Sequence, residues 1–111
     1  MRIAMIGGVE RNETDYARIA ERAGHSLEFH GGWIGGRGAD TLAALITRAD
    51  LVIIVTDVNS HGAVILARRL ASERGRPIQL LRRMGTSRFR ALLDALTKSA
   101  RDGKQRVREV A

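Results

Sequence analysis

The chain has 111 residues, the usual size of one domain, and 44% of them are hydrophobic, which is enough for a buried core. It contains no cysteine, which excludes disulfides, thiolate metal sites, iron–sulfur clusters and cysteine nucleophiles. Its net charge of +7 is uneven: residues 1–61 carry six basic and eight acidic groups, whereas residues 62–111 carry thirteen and four. No apolar run reaches membrane-spanning length and no signal-peptide pattern opens the chain, so we expect a cytoplasmic protein without membrane partners.

Short apolar runs alternate with helical patterns along the chain. Each run is bounded by glycine, proline or polar residues, and the third is continuously apolar and β-branched, as in a central parallel strand. After each run, apolar residues recur at the three- and four-residue spacing of one helical face. The predicted strands are residues 2–6, 26–30, 51–56 and 78–81.

Capping residues indicate where the helices begin. Asn12, with Asp15 three residues later, is predicted to cap the first helix through a capping box. Asp40 is the predicted N-cap of the second helix, and either Ser60 or Asn59 that of the third.

This order of elements predicts one α/β domain. Strands that alternate with helices form a parallel sheet covered on both faces. Right-handed crossovers lead to a doubly wound, Rossmann-like sheet of four strands in the order 2-1-3-4. We expect the domain to span residues 1–100, and residues 101–111 to be a charged helix end or tail.

Such sheets bind ligands beyond the carboxyl ends of their strands, and several informative residues follow predicted strands. Gly7–Gly8 match neither the dinucleotide fingerprint nor the P-loop, and favour a tight turn with close backbone approach. Trp33, in the glycine-rich segment 31–40, either packs onto the domain or a partner, or covers a flat ligand. His30 and His61 are candidate metal ligands, although a lone histidine is more often structural and no third zinc ligand is evident.

Basic and hydroxyl side chains follow the fourth predicted strand. Arg82 and Arg83 either hold a carboxylate or phosphate group or belong to a solvated loop. Thr86 and Ser87 can cap the last helix, whose first amides would add to an anion site. Asp57 follows a strand like the carboxylate of a receiver domain, but the sequence has neither the acidic pair nor the lysine that such a domain also needs. No nucleophile–base pair is visible either, so we predict no enzymatic activity.

The motifs at the strand ends resemble the small bacterial family called domain of unknown function 2325. The resemblance covers nearly the whole chain. It rests on Gly7–Gly8, on TDVNSHGA at 56–63 and on LLRRMGTS at 80–87, while HGGW at 30–33 fits more loosely. It implies a Rossmann-like single domain and, for some members, non-covalent binding of b-type haem and reversible binding of dioxygen in a homodimer.

The resemblance also implies roles for individual residues. His61 matches the family's histidine after the third strand and is the expected axial ligand of the haem iron. His30 is the second candidate, either as axial ligand or on the distal side. Arg82 and Arg83 match the basic pair and suit the haem propionates. The protein is then a sensor or carrier whose partners are haem and a diatomic gas.

Two other functions remain open from the sequence. The net charge of +9 over residues 62–111 fits a nucleic-acid-binding module, although aromatic residues are not interleaved and no helix-turn-helix or RRM motif occurs. Gly7–Gly8 together with Thr86–Ser87 fit a small regulatory domain that binds an anion or a nucleotide.

Overall fold

The computed structural model describes residues 1–8, 12–57, 59–82 and 85–101. Within these residues four strands alternate with four helices. The elements are β1 (Arg2–Ile6), α1 (Glu13–Arg22), β2 (Ser26–His30), α2 (Gly38–Arg48), β3 (Leu51–Val55), α3 (His61–Glu73), β4 (Ile78–Leu81) and α4 (Thr86–Arg101).

The four strands form one sheet in the order β2-β1-β3-β4, and every neighbouring pair is parallel. Ile6 at the end of β1 is in register with His30 of β2 and with Ile54 of β3, so the strand ends meet at one edge. We call this the C-terminal edge of the sheet. The architecture confirms the α/β class and the order 2-1-3-4 predicted from the sequence.

Each face of the sheet has its own core, because successive side chains of a strand point to opposite faces. α1 and α4 cover one face, and α2 and α3 cover the other. β3 is buried along its whole length, as its continuously apolar sequence predicts for a central strand. The sheet contributes Ile3, Met5, Leu51, Ile53 and Val55 to the first core, and Ala4, Ile6, Val52 and Ile54 to the second.

The helix starts agree with the capping predictions only in part. Ser60 caps α3, since its Oγ accepts the N–H of Ala63 at 3.1 Å. Asn12 is the N-cap residue of α1, as predicted, but its side chain forms no cap hydrogen bond, so the predicted capping box is wrong. Asp40 is not the N-cap of α2, because the helix begins at Gly38 and Asp40 lies in its first turn.

The early start of α2 has a packing cause. A Cβ at Gly38 would overlap the indole ring of Trp33, so this position accepts only glycine. This contact with Trp33, together with a hydrogen bond from His30 to the Gly38 carbonyl, fixes the backbone at Gly38. The helix therefore begins two residues before Asp40. No helix in the described ranges is both long and apolar enough to cross a bilayer. Residues 102–111 of the predicted tail lie outside the described residues.

Candidate functional site

A turn of two glycines follows β1 at the C-terminal edge. Gly7 and Gly8 have φ values of +83° and +105°, a region that favours glycine, and both are buried. The Gly7 N–H donates to the carbonyl of His30 at 2.8 Å, which ties the ends of β1 and β2 together. A Cβ at Gly8 would meet Phe29 and Val55 at 3.8 and 3.9 Å. The pair therefore forms a tight, packed turn.

Asn59 lies across the switch point between β1 and β3. Its Nδ2 donates to the carbonyl of Ile6 at 3.2 Å and to that of Val55 at 2.9 Å. A Cβ at Gly32 would overlap the side-chain oxygen of Asn59, so this loop also packs closely on the same amide. The crevice in which doubly wound sheets bind nucleotides thus holds a side chain of the protein itself, which counts against a nucleotide in that position. The sequence indicated Asn59 only as a possible cap.

His30 is buried beneath Trp33. The side chain is 3% exposed, and the two rings stack with centroids 5.1 Å apart and planes inclined by 21°. The Gly32 N–H donates to Nδ1 at 3.1 Å, so Nδ1 is the acceptor and the ring proton is on Nε2. Nε2 then donates to the carbonyl of Gly38 at 3.2 Å. Both ring nitrogens are therefore used in holding the loop between β2 and α2.

The buried histidine predicts that the protein loses stability in acid. Burial lowers the pKa of His30 below its usual 6.5, against a smaller opposite effect of its hydrogen bond to Gly38. Burial and the nearby N-terminal amine likewise lower the pKa of His25. As pH falls through about 6.5, the unfolded chain takes up protons that the folded chain does not, so the free energy of unfolding decreases.

Urea unfolding at pH 7.5 and pH 5.5 measures this decrease. The variant His25→Gln removes the contribution of His25 to the pH dependence of the free energy of unfolding. The pH dependence that remains in this variant therefore reports on His30. In the double variant His25→Gln/His30→Gln, we expect the free energy of unfolding to differ little between the two pH values. A His25→Gln protein with equal stability at both pH values would contradict the contribution of His30.

His61 is the first residue of α3 and its side chain is exposed. Because Ser60 supplies the helix cap, the imidazole of His61 is not needed for that role. Among the residues that the structure describes, none forms a hydrogen bond with this ring. His61 is thus available to an external ligand, whereas His30 is engaged inside the protein.

Three large apolar side chains are exposed in the loop before α2 and on the first turns of α3. Ile34 lies against the helix at Gly62, where a Cβ would come within 2.8 Å of the Ile34 Cδ1. Ile65 follows His61 by one helical turn and therefore shares its side of α3. Trp33, Ile34 and Ile65 are 50%, 38% and 55% exposed, and we call them the apolar patch. Sequence reasoning missed both isoleucines, although Ile65 lies off the apolar stripe that packs α3 onto the sheet.

The basic residues after β4 are only partly described. Arg82 is 87% exposed, and its Nε lies 3.8 Å from the Asp57 carboxylate, a distance at which an exposed pair contributes little stability. The two backbones are also linked, since the Asp57 N–H donates to the Arg82 carbonyl at 2.9 Å. Arg83 lies outside the described residues. Thr86 begins α4, with Ser87 in its first turn.

The described part of the chain contains no cluster of three or more His, Cys, Asp or Glu side chains that could hold a metal ion.

Comparison with known proteins identifies one family. The family described as "Uncharacterized protein conserved in bacteria (DUF2325)" matches residues 2–96, from the first strand into the last helix. No curated protein is significantly similar to the chain. The match includes every strand-end motif described above and covers most of the chain, and the protein therefore belongs to the DUF2325 family.

Proposed function

We propose that this protein binds b-type haem non-covalently beside the C-terminal edge, with His61 as the axial ligand of the iron. The observation that carries the proposal is the exposed imidazole of His61, without a hydrogen bond to any described residue, next to the apolar patch. Haem is a flat apolar disc with two carboxylates, and it needs an imidazole nitrogen, apolar contacts and cations near one edge. His61, the apolar patch and Arg82 offer these three features.

The two candidate histidines differ in what ligation would cost. His30 would have to give up one of two hydrogen bonds and displace Trp33 from its ring. His61 would give up no hydrogen bond to the described residues. We therefore propose His61 as the ligand, with His30 supporting the loop that carries Trp33 and Ile34.

The proposed chemistry is reversible binding of a gas rather than catalysis. Haem held by His61 as the one protein ligand would supply an iron that can bind dioxygen or another diatomic gas. One domain of this size leaves much of the disc exposed, so we propose a homodimer in which a second copy covers it. The protein would then act as a cytoplasmic sensor or carrier.

Haemin titration of the apoprotein, followed at the Soret band, tests the ligand. We expect His61→Ala to weaken binding by more than the ~10-fold that loss of a supporting residue typically costs, and to shift the band. Free imidazole should restore the wild-type spectrum in this variant, because it replaces the missing nitrogen. His25→Ala, at the other end of the sheet, serves as the matched control and should bind haemin like the wild type.

A second arm of the titration tests the apolar patch. Ile65 is exposed, so Ile65→Ser should leave folding intact and weaken haemin binding by removing apolar contact. Equal affinity and identical spectra in the wild type and His61→Ala would refute the proposed ligand. Loss of binding only in His30→Ala would transfer that role to His30.

A further inference from the structure

A groove runs between α1 and α4, on the face of the sheet opposite to α3. It consists of two adjoining cavities of about 160 and 140 Å³, which share Ile19, Arg22 and Arg90. Arg18 and Thr86 line only the larger one, which is the nearer to the C-terminal edge. Either volume is roughly ten times the ~10–15 Å³ of such space that one water molecule needs, so a small ligand fits.

Three guanidinium groups from two helices converge on this groove. Arg18 and Arg22 are one turn apart on α1, and Arg90 faces them from α4. All three are exposed, and within the described ranges none of them forms an ion pair, although Asp15 and Asp94 line the same groove. Like charges gathered in one cleft repel each other, and an anion bound between them removes that repulsion.

The two halves of the groove differ in chemistry. Arg18 and the Thr86 hydroxyl make the larger cavity polar. Ile19, Ala23 and Leu93 line the smaller cavity, and because Leu93 is fully buried, the apolar surface that a ligand can reach comes from Ile19 and the half-buried Ala23. A ligand that fills both halves therefore has an anionic group at one end and an apolar body at the other.

We propose that this groove binds a small phosphate monoester. The phosphate would lie among Arg18, Arg22 and Arg90, and the apolar body would lie over Ile19 and Ala23. Guanidinium groups donate paired hydrogen bonds to phosphate oxygens, and a monoester has three terminal oxygens for three arginines, whereas a carboxylate has two.

The carboxylates of the groove favour a single phosphate over a polyanionic chain. Asp15 lines the larger cavity and Asp94 the smaller one. A nucleic-acid strand carries one negative charge every ~3.4 Å, so an extended backbone along the groove would bring charges against both aspartates. One dianion placed among the arginines of the larger cavity faces Asp15 but not Asp94. The site is separate from the proposed haem site and does not depend on it.

Phenyl phosphate is a suitable probe, because it joins a phosphate monoester to a small apolar ring. Calorimetric titration at constant ionic strength compares it with inorganic phosphate and with phenol, and we expect it to bind more tightly than either. Arg22→Ala and Arg90→Ala should each weaken binding about tenfold, since each removes hydrogen bonds to a charged group. Arg88→Ala, an exposed arginine on α4 outside the groove, is the control with the same change of charge.

Two results would overturn the proposal. One is phenyl phosphate affinity that is the same in the wild type and in Arg22→Ala/Arg90→Ala, or that falls equally in Arg88→Ala. The other is tighter binding of a duplex DNA oligonucleotide with the same dependence on Arg22 and Arg90, which would assign the groove to nucleic acid. Thermal unfolding of each variant shows whether it is folded, and amide shifts on α1 and α4 locate the bound probe.

Discussion

Gly32→Ala is expected to lower the free energy of unfolding by about 3 kcal/mol, although it adds only one methyl group. Gly32 has a φ of +87°, where a residue with a Cβ is strained by ~1–2 kcal/mol. The new Cβ would also overlap the side-chain oxygen of Asn59 and lie 2.9 Å from its Cγ. Asn59 cannot move away without releasing the carbonyls of Ile6 and Val55.

Gly24→Ala is the matched control for this substitution. Gly24 has a φ of +86°, but no atom lies within 4 Å of the Cβ that it would acquire. Its loss of stability should therefore reflect the backbone alone, at ~1–2 kcal/mol. Urea denaturation of both variants gives the two values. Equal losses in Gly24→Ala and Gly32→Ala would contradict the close packing of the loop on Asn59.

The variant Asn59→Ala completes the comparison. Alone, it leaves two strand-end carbonyls without their side-chain donor, at a cost of about 1–3 kcal/mol for each one that water cannot reach. Combined with Gly32→Ala, it removes most of the atoms that the new methyl group would meet. The double variant should therefore lose less stability than the sum of the two single losses.

Phe89→Ala is expected to destabilise the protein by about 3–5 kcal/mol, the usual range for removing a buried aromatic ring. Phe89 is fully buried and packs edge-to-face on Tyr16, with ring centroids 5.4 Å apart. Its loss leaves a cavity between α4 and α1, which the sheet below them prevents from closing. Guanidinium-induced unfolding measures the change.

Phe29→Ala provides the control, because Phe29 also faces Tyr16 but is only half-buried at the edge strand β2. Its ring is more distant, at 6.5 Å, and water can fill part of the space that it leaves. We expect a smaller loss than for Phe89→Ala. A larger loss for Phe29→Ala would mean that the contact between α1 and α4 contributes less than the structure indicates.

The fold could be predicted from the sequence because its signals are local and agree with one another. The run LVIIVT at residues 51–56 predicts a central strand, and the alternation of strands and helices leaves few topologies once crossovers are right-handed. Asp40 shows where local signals fail. It has the chemistry of a cap, but the packing of Trp33 on Gly38 starts the helix two residues before it.

The candidate site was less accessible to sequence reasoning, because its key contacts are long-range. Asn59 and Ser60 are residue types that cap helices equally well, so the sequence could not choose between them. In the structure Ser60 caps α3, whereas Asn59 donates a hydrogen bond to the carbonyl of Ile6, which is distant in the sequence. From the sequence, Trp33 could either pack onto the domain or a partner, or cover a flat ligand. In the structure one face of its ring stacks on His30, while half of the side chain stays exposed.

The basic groove shows the same limit. The charge imbalance of the sequence drew attention to residues 62–111, yet two of the three arginines of the groove belong to the acidic half of the chain. They meet Arg90 only because the sheet order brings α1 and α4 together on one face. Net charge by segment could not reveal a cluster made from both segments.

The pairing of the first helix with the last has a consequence for the newly made chain. During translation, α2 and α3 can cover their face of the sheet as soon as Glu73 has left the ribosome. On the other face, Tyr16 and Ile19 can complete their core only after Phe89 and Leu93 have been synthesised. Until then the nascent protein exposes an apolar sheet face with one helix on it, and surfaces of this kind are what chaperones cover in the cell.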